Sequence, residues 1–328
     1  KYDSAAYYYG RYAKQFPDDF KSYRDLGELY MLMTDFSKAK ENFDKALLIE
    51  PSNISVMLAL ANLELRKGSF DRATNLFQTA LNSSRSSSDS AKVYFGFDNY
   101  FEIKGQMKKS LEYHLLGMNS FARNNPPKNV LVQSTFSVEK YVLAGNKEAA
   151  MKLLQKIHDE FKPPLDKVAA FGYLFYFIET EDPDNAEKYI PDAMEVISGF
   201  GEQVLMANVY YAKGRIAELR KDYKAALENY TQFARMQPNS FHAYQWMSRC
   251  HRELGDLIKA KENILLALKH NPYNPEFNLE AAMVFSKTDE ESKVKEHLER
   301  ALKVWDSADK DYKPYQKAVA AYSQINSL

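Results

Sequence analysis

"SYRDLGELYMLMTDFSKAKENFDKALLIEPSN" runs from Ser22 to Asn53. Tyr23, Leu26, Gly27 and Tyr30 recur at helical spacing and share one face of a first helix. Ala39, Phe43 and Ala46 do the same on a second helix, which Pro51 then stops, because proline cannot continue its hydrogen bonding. Two short amphipathic helices cannot bury their apolar faces alone. Such a hairpin is stable only when stacked on others like it.

The copies are present. Met57, Leu60 and Ala61 lead to Gly68, Phe70, Ala73, Phe77 and Ala80. Later, Tyr210, Gly214 and Ala217 precede Tyr223, Ala226, Tyr230 and Pro238, and Tyr244, Met247 and Ser248 precede Gly255, Ala260, Ile264, Ala267 and Pro272. Ala281, Ala282, Phe285, Leu298 and Ala301 form a further unit without the closing proline. Three consecutive late units start 34 residues apart. The pattern, aromatic-x2-Leu-Gly-x2-Tyr, Ala-x3-Phe-x2-Ala and then Pro, resembles the tetratricopeptide repeat. That resemblance implies an all-α fold, a right-handed α-α superhelix of about nine helical-hairpin units.

One solenoid over 1–328 is therefore expected. Residues 1–19 read as the second helix of a truncated repeat, with Ala5, Tyr9, Tyr12 and Pro17 in the usual places. Clear repeats fill 20–81 and 207–308, and degenerate ones fill 91–200 after a loop at Asn82–Ser90. Among the degenerate units, Tyr141, Gly145, Ala150 and Leu154 lead to a stop at Pro163–Pro164. Residues 309–328 read as a capping helix over the last apolar face, which solenoids need.

Lys+Arg and Asp+Glu both number 44, so no global charge points to nucleic acid. The longest apolar run, Val168–Ile178, is too short for a membrane helix of about 20 residues. One cysteine, Cys250, precludes a disulfide within the chain. The six histidines show no metal-binding spacing, and no nucleophile-elbow or phosphate-loop motif occurs. His114 and His251 fall at helix-packing positions. Cys250 and His251 are neighbours on different sides of a helix and cannot act as a pair. "GFG" (Gly199–Gly201) reads as a helix stop and turn, and "DEE" (Asp289–Glu291) as a solvated turn. Neither catalytic residues, cofactor nor metal are expected.

The resemblance implies that first helices line a concave face where peptides or partner proteins bind. Residues about one turn from the packing positions should face it. They are Tyr211 and Arg215, then His242, Gln245, Arg249 and Arg252, then Lys310, Lys313 and Lys317, with Leu279 and Met283 between. A neutral chain thus gains a basic groove near its C-terminal end, fit for an acidic peptide, a terminal carboxylate or a phosphorylated segment. The plainer explanation is solvated charges satisfied by Glu218 and Glu253. A Lys/Asn/Arg clamp for a terminal carboxylate, known in chaperone-binding relatives, is not matched. Arg24 and Asn62 fit it, but Glu28 and Phe95 do not.

"KVAAFGYLFYFIETEDPDN" (Lys167–Asn185) is the divergent case. Asp182 as N-cap and Pro183 as first helical residue make its front half the first helix of a repeat. On the same phase Tyr173, Leu174 and Phe177 pack, while Val168, Phe171, Phe175 and Ile178 face the groove, either as an apolar ligand surface or as solenoid wall.

The expected function is a non-catalytic interaction scaffold that binds a peptide or protein partner, with no nucleic acid and no membrane insertion, in the cytoplasm or periplasm. The alternative is a ligand- or peptide-sensing module of a larger signalling protein. Leu298–Ala318 loosely resembles the end of such regions in bacterial regulators, and the start inside a repeat leads one to expect a fragment of a longer chain.

Overall fold

The computed structural model describes residues 2–162, 166–200, 203–288 and 290–326. Pro163, Pro164, Gly201 and Asp289 lie outside them, and so do the stop and turn expected there. Helices pair into successive antiparallel hairpins: α2 (Phe20–Leu32) with α3 (Phe36–Ile49), α4 (Ile54–Arg66) with α5 (Phe70–Ser83), and α6 (Ser87–Ile103) with α7 (Met107–Ala122). A short α8 (Pro127–Ser134) precedes α9 (Val138–Leu143) and α10 (Lys147–Glu160). Next come α11 (Ala170–Glu179) with the broken pair α12 (Pro183–Lys188) and α13 (Ile190–Phe200). The clean units return as α14 (Gln203–Leu219) with α15 (Tyr223–Met236), α16 (His242–Glu253) with α17 (Leu257–His270), and α18 (Pro275–Phe285) with α19 (Glu291–Val304). A helix α1 (Tyr2–Gln15) precedes them and α20 (Lys313–Asn326) follows. Ala318 of α20 is buried, and Tyr315, Tyr322 and Ile325 pack on the last hairpin's core.

Within a hairpin, a small residue on the first helix admits a large one from the second. A Cβ on Gly27 would lie 2.4 Å from the Phe43 ring, and one on Gly214 would lie 2.4 Å from the Tyr230 ring. Phe43 and Tyr230 are fully buried as a result. Ala61 with Phe77, Ser248 with Ile264 and Ala282 with Leu298 hold equivalent positions and are also buried.

Seven hairpin turns among the described residues obey one rule. Thr34, Gly68, Gly105, Gly145, Glu181, Lys221 and Gly255 all have φ between 61° and 82°, the left-handed region. Each follows the end of a first helix, and the next residue is the N-cap of the second. At Thr34, for instance, the Asp35 N–H donates to Tyr30 O at 2.9 Å, closing the helix end, and the Asp35 carboxylate accepts from Lys38 N at 3.1 Å. The expected loop at Asn82–Ser90 contracts to Ser84–Ser86 between helices, because the Ser86 hydroxyl caps α6 by accepting from Asp89 N at 3.1 Å. Asp182 caps α12 with Pro183 in its first turn.

The array returns on itself. The Asp309 N–H donates to Gly105 O at 2.9 Å, and its carboxylate accepts from Lys108 N at 3.0 Å. Lys104 Nζ lies 2.7 Å from Asp306 Oδ1, and Gln106 Nε2 donates to Ser307 Oγ at 2.5 Å. Trp305, fully buried, anchors this seam, and a Cβ on Gly105 would meet Ala308 and Tyr312 at 2.9 Å. The turn at Gly68 likewise presses on the Tyr273 ring, where a Cβ would lie 2.6 Å away. The turns of the second and third hairpins thus meet the last part of the array, and the first helices surround a common interior.

Candidate functional site

Charged residues of the first helices converge on that interior. Glu218 of α14, 7% exposed, accepts from Arg215 Nη1 at 3.0 Å and from the Tyr230 hydroxyl at 2.6 Å, and faces Arg249 Nε of α16 at 3.0 Å. The Arg249 N–H is not aimed for a hydrogen bond, so that contact is an ion pair alone. Burial opposes the ionisation of Glu218, but Arg249 and Arg215 overcome it and hold its carboxyl below the ordinary value. Arg252 clasps Glu280 of α18 through Nε and Nη2 at 2.9 and 3.1 Å, and also meets Glu253 at 2.5 Å. Lys140 of α9 pairs with Asp98 at 2.8 Å and with Glu102, both on α6. Lys313 pairs with Glu181 across the interior.

The basic groove expected near the C-terminal end is therefore neutralised from within. Arg215, Arg249, Arg252 and Lys313 already have carboxylates: Glu218 of its own helix for Arg215, Glu218 and Glu280 of neighbouring first helices for Arg249 and Arg252, and the turn residue Glu181 for Lys313. Lys317 is exposed and forms no ion pair among the described residues. Gln245 is 6% exposed and belongs to the wall, and His242 is exposed beside Trp246 and Phe277.

The expected phase of α11 also needs correction. Val168, Phe171, Phe175 and Ile178, expected on the groove, are all buried, at 4%, 3%, 6% and 0% exposure. Phe171, Phe175 and Ile178 join Leu174 in one core with α13 and α14. Tyr173 and Phe177 instead stack on Tyr189 at 4.8 and 5.8 Å. The break into α12 and α13 rotates the partner surface, so this helix is packed on more sides than a regular first helix.

Phe175 keeps one edge at a cleft of about 260 Å³ lined by Phe136, Glu139, Phe175, Asn208, Tyr211, Phe233 and Trp246. Its rings form a chain: Phe175 lies 6.2 Å from Tyr211, and Tyr211 lies 4.7 Å from Trp246, which lies 5.2 Å from Phe233. Of the seven, Tyr211 and Phe175 were legible as candidates in the sequence. Glu139 sits in a degenerate repeat, and no position of the repeat pattern singles out Phe233 or Trp246. Burial, reinforced by Glu179, pushes the Glu139 carboxyl up to about 8, and burial raises the Tyr211 phenol.

The other titratable candidates are structural. His114 bridges Asp98 and Ser137 at 3.0 and 2.8 Å, and the buried Cys250 thiol is pushed up to about 12 by burial. At that value it is not a thiolate nucleophile near neutral pH. Among the described residues no cluster of His, Cys, Asp and Glu is arranged to hold a metal ion, and no helix is long and apolar enough to cross a membrane.

Stacked hairpins with small-to-large packing, left-handed turns and an enclosed inner face define an α-solenoid, an architecture of interaction scaffolds. A tetratricopeptide repeat model matches residues 20–53, 207–240 and 241–274. Similar solved structures include yeast Tom70, at 15% identity over 99% of this chain and 77% of that one, with a TM-score of 0.47. A tetratricopeptide repeat protein from Parabacteroides merdae gives 12% identity over 92% and 98%, with a TM-score of 0.45. The APC/C hetero-tetramer Cut9-Hcn1 gives 12% over 99% and 80%, with a TM-score of 0.48. No curated protein sequence matches the chain.

Proposed function

We propose that the chain is a non-catalytic scaffold whose inner face binds an extended segment of a protein partner. The supporting observation is the cleft between Phe136 and Trp246. Its lining comes from successive repeats, so it exists only in the stacked array, and most of it stands on the first helices α9, α11, α14 and α16. Most of the charge around it is matched internally, which leaves shape and rings as the principal means of recognition.

A photo-reactive residue tests the location. Placed at Asn208 in the cleft, it should cross-link one discrete partner in the host cell. Placed at Ile258, 75% exposed on the second helix α17, it should not. Cross-linking from Ile258 with none from Asn208 would move the binding surface to the outer face and overturn the proposal.

A further inference from the structure

Glu139 sets the cleft apart from an ordinary apolar crevice. Among the described residues its carboxylate forms neither a hydrogen bond nor an ion pair, and the same holds for Glu179 of α11, whose charge it feels. The cations within reach are already engaged. Lys140 holds Asp98 and Glu102, Arg215 holds Glu218, and Lys313 holds Glu181. The remaining lining consists of five aromatic rings and Asn208. Aromatic faces are electron-rich, so rings and carboxylates together favour one sign of guest. An anion would meet Glu139 directly, with the charge of Glu179 close behind it. A neutral apolar guest would cover Glu139 and leave it without a partner, which is costly. A cation satisfies both the rings and the acid.

We propose that this cleft is an aromatic cage for an organic cation, and that its occupant is a lysine side chain of the protein segment bound along the inner face. The proposal rests on the inner face being the binding surface. At about 260 Å³ the cleft lies below the usual range for whole small-molecule ligands, about 300–1,000 Å³, and suits a single side chain. Asn208 offers an amide to the backbone of the entering residue.

Proton linkage gives the cage a signature. Burial holds the Glu139 carboxyl near 8, with Glu179 of α11 and Glu102 of α6 adding to the rise and Lys140 of α9 and Arg215 of α14 opposing it. The cation-binding form is the ionised one. Its population grows as pH rises through that value, so affinity for a lysine should increase about tenfold between pH 7 and pH 9.

Trp246 reports occupancy by its fluorescence. The peptide acetyl-Gly-Lys-Gly-amide should change that emission saturably, and its norleucine counterpart, neutral and nearly isosteric, should bind at least about fivefold more weakly. Glu139→Gln should remove the pH dependence and most of the preference for lysine while leaving the circular dichroism spectrum unchanged. Equal binding of the two peptides, or a preference for lysine that survives Glu139→Gln, would overturn the cage. A response to tetramethylammonium with none to the lysine peptide would overturn the peptide assignment in favour of a free cation. Cross-linking from Asn208 together with equal binding of the two peptides would leave the inner-face reading standing and remove only the cage.

Discussion

Glu218 holds two guanidinium groups and a phenol at once, from three different helices. Removing the carboxylate leaves Arg215 and Arg249, 22% and 28% exposed, facing each other without an anion. Glu218→Gln should therefore destabilise the fold by about 1–3 kcal/mol at pH 7, less than a fully buried pair would lose, since both heads retain some water. The pH dependence follows from the depressed carboxyl. A group with a lowered folded-state value stabilises the protein above its unfolded value, and that contribution is lost as pH falls through the folded one. Urea unfolding of wild type and variant should differ at pH 7 and converge in acid; a constant gap would assign the effect to packing. This residue also shows where sequence reading stops. Glu218 was visible as a possible partner for Arg215, three positions away on the same helix. Its pairing with Arg249 joins adjacent repeats, as does the bond from Arg252 to Glu280, while Lys313 reaches Glu181 across 132 positions. Helical spacing fixes a face within one helix but not the height at which the next helix presents its charge.

The hairpin turn is the element that keeps the period where the packing residues lose it. Among the described residues seven turns carry one left-handed residue each, and four of these are glycine: Gly68, Gly105, Gly145 and Gly255. Thr34, Glu181 and Lys221 adopt the same conformation against a steric cost of about 1 kcal/mol for a side chain. Glycine at the turn does not separate clear repeats from degenerate ones, since Thr34 and Lys221 lie in clear repeats and Gly105 and Gly145 in degenerate ones. The repeats at 20–81 and 207–308 were legible because aromatic and small residues stand in the expected packing places, and the middle looked degenerate because they do not. "EDPDN" still revealed the helix start, since Asp182 and Pro183 are capping chemistry independent of family pattern. The orientation of α11 was not legible, because it depends on the break between α12 and α13. Lys221→Gly should raise stability by up to about 1 kcal/mol, and Gly255→Ala, where φ is 82° and a Cβ would meet no neighbour, should lower it by a similar amount through backbone strain alone. Opposite shifts in the urea midpoint would check the pair; a gain from both would show that strain at these turns is not what sets their stability.

Closure governs the molecule as a whole. A solenoid normally contacts only its nearest neighbours, so its stability is a sum of local terms and its pitch is free to breathe. Here the segment Trp305–Asp309 bonds to the turn around Gly105, across roughly 200 positions of sequence. The seam couples the third hairpin to the last one and fixes the curvature that brings Glu139, Tyr211 and Trp246 around one cleft. Lys104 is the residue to perturb. Its ammonium is 10% exposed, lies over the Phe70 ring at 5.5 Å and pairs with the more exposed Asp306. Lys104→Glu would place two carboxylates at the seam and remove the cation from that ring. The hairpins on either side keep their own cores, so the helix content should stay constant. The radius of gyration from small-angle scattering should rise, and amide exchange should quicken selectively across 305–312. Adding Asp306→Lys restores opposite charges across the same gap and should recover the compact form in part, the ring contact being lost in both variants. An unchanged radius in Lys104→Glu would show that Trp305 and the backbone bond from Asp309 to Gly105 hold the seam without the ion pair. A larger radius that the second substitution fails to reduce would trace the effect to the contact with Phe70.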